Sequence, residues 1–365
     1  LNPKMDKQED IYKQAMQYLD DAIADLQKED LIDPEAQDLL YQGDAEKWLK
    51  LAYGLKARYT MHLLKRSANK DADMEKVLEY VNNSFESAEE QAAFDVYDAN
   101  NINPLYGFFV ARAGLGASES MRSKLAEYND PRLSRAFITK QGTSGKEQAP
   151  GTADNAVYAP NGTPEQGTSK YGTSLFMYSI SAPTLLLSYH ELLFLKAEAL
   201  VRLNRVNDAS DALKSAMVAA FDNFNNSVKS SLASPKLNST KIRTTTPTNG
   251  IIGVSKVDGA VAETYFNAEV KAMFDANPLK EVMVQKYLAF YGASGESFEA
   301  YNDYRRCKGL GETFVELKNP LNSNQFPLRL PYGSDDVLAN QNVKSAFGDG
   351  QYVYTEKVWW AGGSR

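Results

Sequence analysis

Three stretches of this chain share one spacing: a small or branched residue, a second four positions on, and a third three positions after that. They are Ala15, Leu19 and Ala22; Val77, Val81 and Ser84; and Ala209, Leu213 and Ala216. On an α-helix these offsets fall on a single face, and the small members let a second helix approach closely. A chain patterned this way must bury each stripe against a neighbouring helix, so the spacing predicts packed helix pairs. Apolar periodicity and capping residues predict helices over Gln8–Gln27, from an Asp44 N-cap to Leu63, and over Asp73 to about Phe85. Others follow at Ser188–Leu203, Asn207–Phe221, Ala262–Ala276, Leu279–Tyr291 and Ser297–Cys307.

Across the fourth and fifth helices, Ala197, Leu200, Asn204, Ala209, Leu213 and Ala216 match the offsets of a tetratricopeptide (TPR) unit, with Asn204 at the turn. Trp48, Leu51, Ala52 and Leu55 fit the first half of another unit, and Val77, Val81 and Ser84 its second half. Helix one matches a second half, yet only Leu1–Lys7 precede it. A repeat lacking its first helix exposes an apolar stripe, so the expectation is that the chain begins inside a larger protein. The predicted fold class is mostly α, with TPR-like helix pairs forming a curved scaffold beside an irregular loop-rich lobe. One domain is expected over 1–365: TPR-like helices about 8–87, 185–222 and 262–307, the lobe about 95–184 and 225–260, and a C-terminal tail about 308–365. Tyr106, Phe108 and Phe109 read as core, and Trp359-Trp360 as an anchor for the tail.

Two stretches escape the helical pattern. Gln141–Ser174 is rich in Gly, Thr, Ser, Asn and Pro and carries Tyr158 and Tyr171 before passing into Phe176-Met177-Tyr178. Asn225–Ala260 has similar turns but no aromatic residue. The first reads as a long loop and candidate binding element, the second as a spacer.

Chemistry is sparse. Forty Lys and Arg against 47 Asp and Glu give a net charge of −7, which argues against a nucleic-acid partner. No apolar run approaches the roughly 18 residues of a membrane span. One cysteine, Cys307, excludes an intramolecular disulfide and a cysteine-based zinc site. It lies beside Arg305, Arg306 and Lys308, which could depress a thiol pKa, although a stray thiol at a helix end is the simpler reading. The two histidines, His62 and His190, read as core or capping residues. Asp95–Asn101 lacks the alternating ligands and turn glycine of a calcium loop. Phosphate-loop, nucleophile-elbow and metalloprotease signatures are missing. No catalytic residue, metal ligand or cofactor is therefore expected, and a binding protein is favoured over an enzyme.

Collinear segments carry a resemblance. Ile11-Tyr12 through Leu19-Asp20-Asp21-Ala22-Ile23 is followed by Tyr41-Gln42-Gly43-Asp44-Ala45-Glu46-Lys47-Trp48 and Leu55-Lys56-Ala57-Arg58-Tyr59. Asn103-Pro104-Leu105-Tyr106, Asn129-Asp130-Pro131-Arg132-Leu133 and Tyr189-His190-Glu191-Leu192 come next. Gln285-Lys286-Tyr287-Leu288-Ala289, Asp303-Tyr304-Arg305-Arg306 and Pro327-Leu328-Arg329-Leu330-Pro331-Tyr332 complete the order. Together they resemble the SusD/RagB family, surface glycan-binding lipoproteins of Bacteroidetes outer membranes. Where that family often has a Trp in the Gly295–Arg306 helix, this chain offers Phe298 or Tyr301.

The resemblance implies an oligosaccharide ligand, a SusC-like TonB-dependent transporter as partner, and surface attachment through a lipid anchor that no residue here supplies. Sugar rings stack their C–H faces on aromatic rings while their hydroxyls seek polar partners. Composition and position in the Gln141–Tyr178 stretch therefore nominate Tyr158, Tyr171 and Tyr178 as stackers, with Asn155 and Asn161 as polar partners. A peptide-binding lid on a similar transporter and a TPR scaffold without a small ligand remain open, and a strongly charged cleft would favour the peptide.

Overall fold

The computed structural model describes residues 2–28, 35–112, 115–141, 146–148, 157–162, 170–234, 256–292 and 295–364. Helices α1 (Gln8–Leu26), α2 (Ala45–His62) and α3 (Lys70–Asn82) pack in sequence, each against the next. Then α3 meets α7 (Tyr189–Arg202), which pairs with the long α8 (Val206–Leu232). Beyond α8 come α9 (Gly259–Tyr265), a π-helical turn (Phe266–Val270), α10 (Lys271–Ala276), α11 (Pro278–Ala289) and α12 (Phe298–Leu310).

Local chemistry sets these boundaries. The Asp44, Asn69, Ser188 and Asn277 side chains each accept a backbone N–H from the first turn of the helix they precede, satisfying donors that have no helical partner. Between α7 and α8, Asn204 has φ 58°, a left-handed conformation that Asn tolerates better than most residues. The helices cross there on Ala197, Ala209, Leu213 and Ala216, all fully buried, as the repeat spacing requires. Two helices depart from their expected bounds. Helix α3 starts at Lys70, capped by Asn69, and ends at Asn82 instead of spanning Asp73 to about Phe85. Helix α8 continues to Leu232 because Phe224, Val228 and Ser231 extend its buried stripe, so the irregular lobe does not begin at 225.

The lobe holds short helices, α4 (Pro104–Arg112), α5 (Glu119–Glu127) and α6 (Leu133–Ala136), and two small sheets. In one, β1 (Ala92–Phe94) pairs antiparallel with β5 (Thr184–Leu187). In the other, β2 (Phe137–Gln141) lies between β3 (Lys146–Gln148) and β4 (Thr173–Ser174), both antiparallel. The stretch read as one long loop thus contributes two strands. Phe109 is buried, its ring 4.9 Å from that of Tyr178, but Phe108 is 47% exposed and Tyr106 half-buried, so only one of the three is core.

The tail carries α13 (Ser334–Ala339) and α14 (Gln341–Phe347) and closes back on the scaffold. Trp360 stacks on His62 at 5.7 Å between ring centres, and Trp359 sits 6.3 Å from Tyr12 of α1. Among the described residues no helix is long and apolar enough to cross a membrane.

Candidate functional site

Polar side chains gather in several regions, and two of them contrast most. The first is an ionic system sealed between α2, α7, α11 and α12. Arg306, wholly buried, donates to both carboxylate oxygens of Glu198 at 2.6 and 2.7 Å and to Asp303 at 2.8 Å. Lys286 adds a 2.7 Å contact to Asp303, while Arg202 bridges Glu198 and Glu312 at 2.8 Å each. Arg58 binds Glu191 and also reaches Glu296, whose Oε1 accepts the Ser188 N–H at 2.6 Å.

Burial sets the protonation of this system wherever a counter-charge does not outweigh it. Burial alone would raise the Glu191 carboxyl, but Arg58 and then Lys286 hold it below the usual range. Glu296 goes the other way: burial, followed by the charge of Glu191, pushes it well up. Burial also brings His190 down to about 4 and the Cys307 thiol up to about 12, despite Arg306 beside it. Cys307 is therefore an inert interior thiol. The Glu191 and Glu296 carboxyls are pushed in opposite directions, but at 1% and 3% exposure neither has a surface a substrate could reach.

The second region is open. A groove of about 750 Å³ runs between α5, α11, α12 and the segment 313–324. Tyr128, Tyr304 and Phe314 give it aromatic walls; Lys124, Lys280 and Lys318 bring cations, and Glu127 and Glu316 bring carboxylates. A smaller cavity of about 130 Å³, reaching Met283 and Cys307, adjoins it and shares Tyr304, Thr313, Phe314 and Val315.

The segment that forms one wall is fixed at both ends. Glu312 is gripped by Arg202 through two 2.8 Å bonds. At the other end the buried Asn319 donates to the Gln325 carbonyl at 2.6 Å, and Asn161 donates to the Lys318 carbonyl at 2.8 Å. Between these anchors the backbone of Thr313 to Leu317 makes no hydrogen bond among the described residues. Phe314, Val315 and Leu317 are half-buried and Thr313 and Glu316 exposed, so this wall offers backbone donors and acceptors within reach of a ligand in the groove.

The loop tyrosines lie elsewhere than a stacking role needs. Tyr158, Tyr171 and Tyr178 are 8%, 3% and 1% exposed. Tyr158 packs edge-on against Phe137 at 5.3 Å, Tyr178 against Phe109, and the Tyr171 ring covers Gly116 so closely that a Cβ there would sit 3.0 Å from it. Rings so placed hold the lobe together and present no free face, which corrects the expectation of an exposed stacking set. Asn155 lies outside the described residues. Asn161 is half-buried, and its bond to Lys318 brings the predicted loop to the rim of the groove. Composition missed Tyr128, Tyr304 and Phe314 because they belong to three separate elements; only their outward positions beside apolar stripes could have singled them out.

A helical-repeat scaffold whose open groove combines aromatic faces with unpaired polar groups defines a binding protein. The family model described as "Starch-binding associating with outer membrane" (SusD-like) matches residues 1–333, and the chain belongs to that family. It is 57% identical to a SusD/RagB family protein from Bacteroides thetaiotaomicron, with a TM-score of 0.91 over 100% of this chain and 75% of that one. A chitin-binding protein is 22% identical with a TM-score of 0.67, covering 99% of this chain and 74% of its own. A Bacteroides vulgatus putative outer membrane protein, described as probably involved in nutrient binding, is 19% identical with a TM-score of 0.69, covering 99% and 77%. Comparison with curated proteins gave no match.

Proposed function

We propose that this protein binds oligosaccharides at the cell surface and delivers them to a SusC-like TonB-dependent transporter in the outer membrane, held there by a lipid anchor. The observation that carries the reading is the groove, in a member of a family described as starch-binding. Tyr128, Tyr304 and Phe314 offer apolar faces for sugar rings, and the unpaired backbone of Thr313–Leu317 suits hydroxyls that both donate and accept. The chitin-binding relative supports a glycan ligand on the same scaffold. Asn161, with Asn155 nearby in sequence, serves as a polar partner at the rim, and the buried tyrosines support the lobe.

Calorimetric titration with starch and chitin oligosaccharides, alongside peptides, tests the reading. Tyr304→Ala and Phe314→Ala should each weaken the best glycan by about 1 kcal/mol or more while the melting temperature stays unchanged. A glycan whose affinity ignores both substitutions would move the site elsewhere. Delivery is tested by co-purification with the barrel from outer membranes. A second reading has its own observation: backbone groups without a partner are also what a peptide uses to add a strand. Tight binding of a peptide and of no glycan would establish it.

A further inference from the structure

The five charged side chains of the groove are not equivalent. Glu127, Glu316, Lys280 and Lys318 are exposed and keep their water, whereas Lys124 is half-buried in the wall. Although Glu127 stands one turn away on α5 and Glu316 lines the same cleft, Lys124, Lys280 and Lys318 make no ion pair among the described residues. Among the described residues Arg58, Lys286 and Arg306, all more deeply buried, each meet a carboxylate. A partly desolvated ammonium without a partner is unfavourable until an anion arrives. Burial, with Lys280 and Lys318 nearby, lowers the Lys124 pKa from its ordinary value even against the pull of Glu127 and Glu316.

We infer that the groove takes an acidic oligosaccharide, one of whose anionic groups sits against Lys124 with Lys280 and Lys318 around it. This rests on the glycan reading and narrows it to sugars bearing a carboxylate or a sulfate. The aromatic walls hold the ring, and the lysine cluster selects its charge. Lysine suits the task as a mobile point charge that accommodates either anion.

The test compares three ligands of equal length on the intact protein: an oligogalacturonate, its methyl ester, and a sulfated neutral oligosaccharide. At least one acidic ligand should bind about tenfold tighter than the ester, with an affinity that falls as salt rises. Lys124→Met should remove that preference and leave the ester within about twofold. Glu316→Gln, at an exposed position where folding is not at stake, should tighten the acidic ligand alone. Preference for the carboxylate or for the sulfate identifies which anion the site takes. An ester that binds as well as both acids, or a Lys124→Met effect equal on charged and uncharged ligands, overturns the inference while the glycan reading stands. If none of the three and no starch or chitin oligosaccharide binds, both fall together.

Discussion

The interior ionic system and the surface groove use the same kinds of residue to opposite ends. Around Arg306 each carboxylate is met by a cation at 2.6–2.8 Å, and the set is shut away from water. Around Lys124 three cations and two carboxylates share one cleft, and among the described residues none of them is joined in an ion pair. The first arrangement ties α2, α7, α11 and α12 into one body. The second leaves charge and backbone unspent where solvent, and so a ligand, can enter. Pairing, rather than the number of polar residues, separates a structural cluster from a recognition surface.

Substitutions should split along that line. Arg306→Ala strands Glu198 and Asp303 in the interior and should cost about 3–5 kcal/mol of folding stability, read by denaturant unfolding. Tyr178→Ala should cost about 3 kcal/mol by leaving a cavity beside Phe109. If instead it unfolds the protein no more easily but abolishes glycan binding, the packing role given to the loop tyrosines is wrong.

Next comes acid. His190 is neutral in the fold down to about pH 4, while in the unfolded chain it takes a proton below about pH 6.5. Its contribution is therefore complete above pH 6.5 and is lost as pH falls toward 4, by a few kcal/mol. Glu198 and Glu299, held low by their counter-charges in spite of burial, add to the loss below about pH 4.5; Glu296, held high, opposes it. His190→Asn should flatten stability between pH 6.5 and 4, which thermal melts across that range would reveal. Smallest on stability is Tyr304→Ala, with about 1 kcal/mol of affinity lost and unfolding unaltered. A fall in stability comparable to that of Arg306→Ala would erase the contrast between the two regions.

The scaffold was readable before the structure because repeat packing writes itself as local spacing. Ala197 through Ala216 place two helices and their turn from offsets alone. Even the overlooked end of α8 was visible in Phe221, Phe224 and Val228, which keep to one face beyond the point where composition changes. The groove was not readable, since Tyr128, Tyr304 and Phe314 converge from elements almost two hundred residues apart. Aromatic content drew attention to a loop whose tyrosines proved to be interior. A tyrosine in a polar, Gly-rich stretch can be the residue that docks the stretch, and nothing in its flanking sequence distinguishes that use from display.

The return of the tail to the first helices has a consequence for how the molecule is made. Trp360 donates its backbone N–H to Gln8 across 352 positions, Arg66 takes the carbonyls of Trp359 and Gly363, and Asn340 holds the carbonyl of Pro3. These contacts have a very high sequence separation, so they close only once residues 340–363 are present beside the first helices. Until then His62 and Arg305 lack the indole ring on which they stack. A chain cut short at 355 should accordingly refold its middle helices yet leave the α1–α2 end open to protease, which limited proteolysis would read.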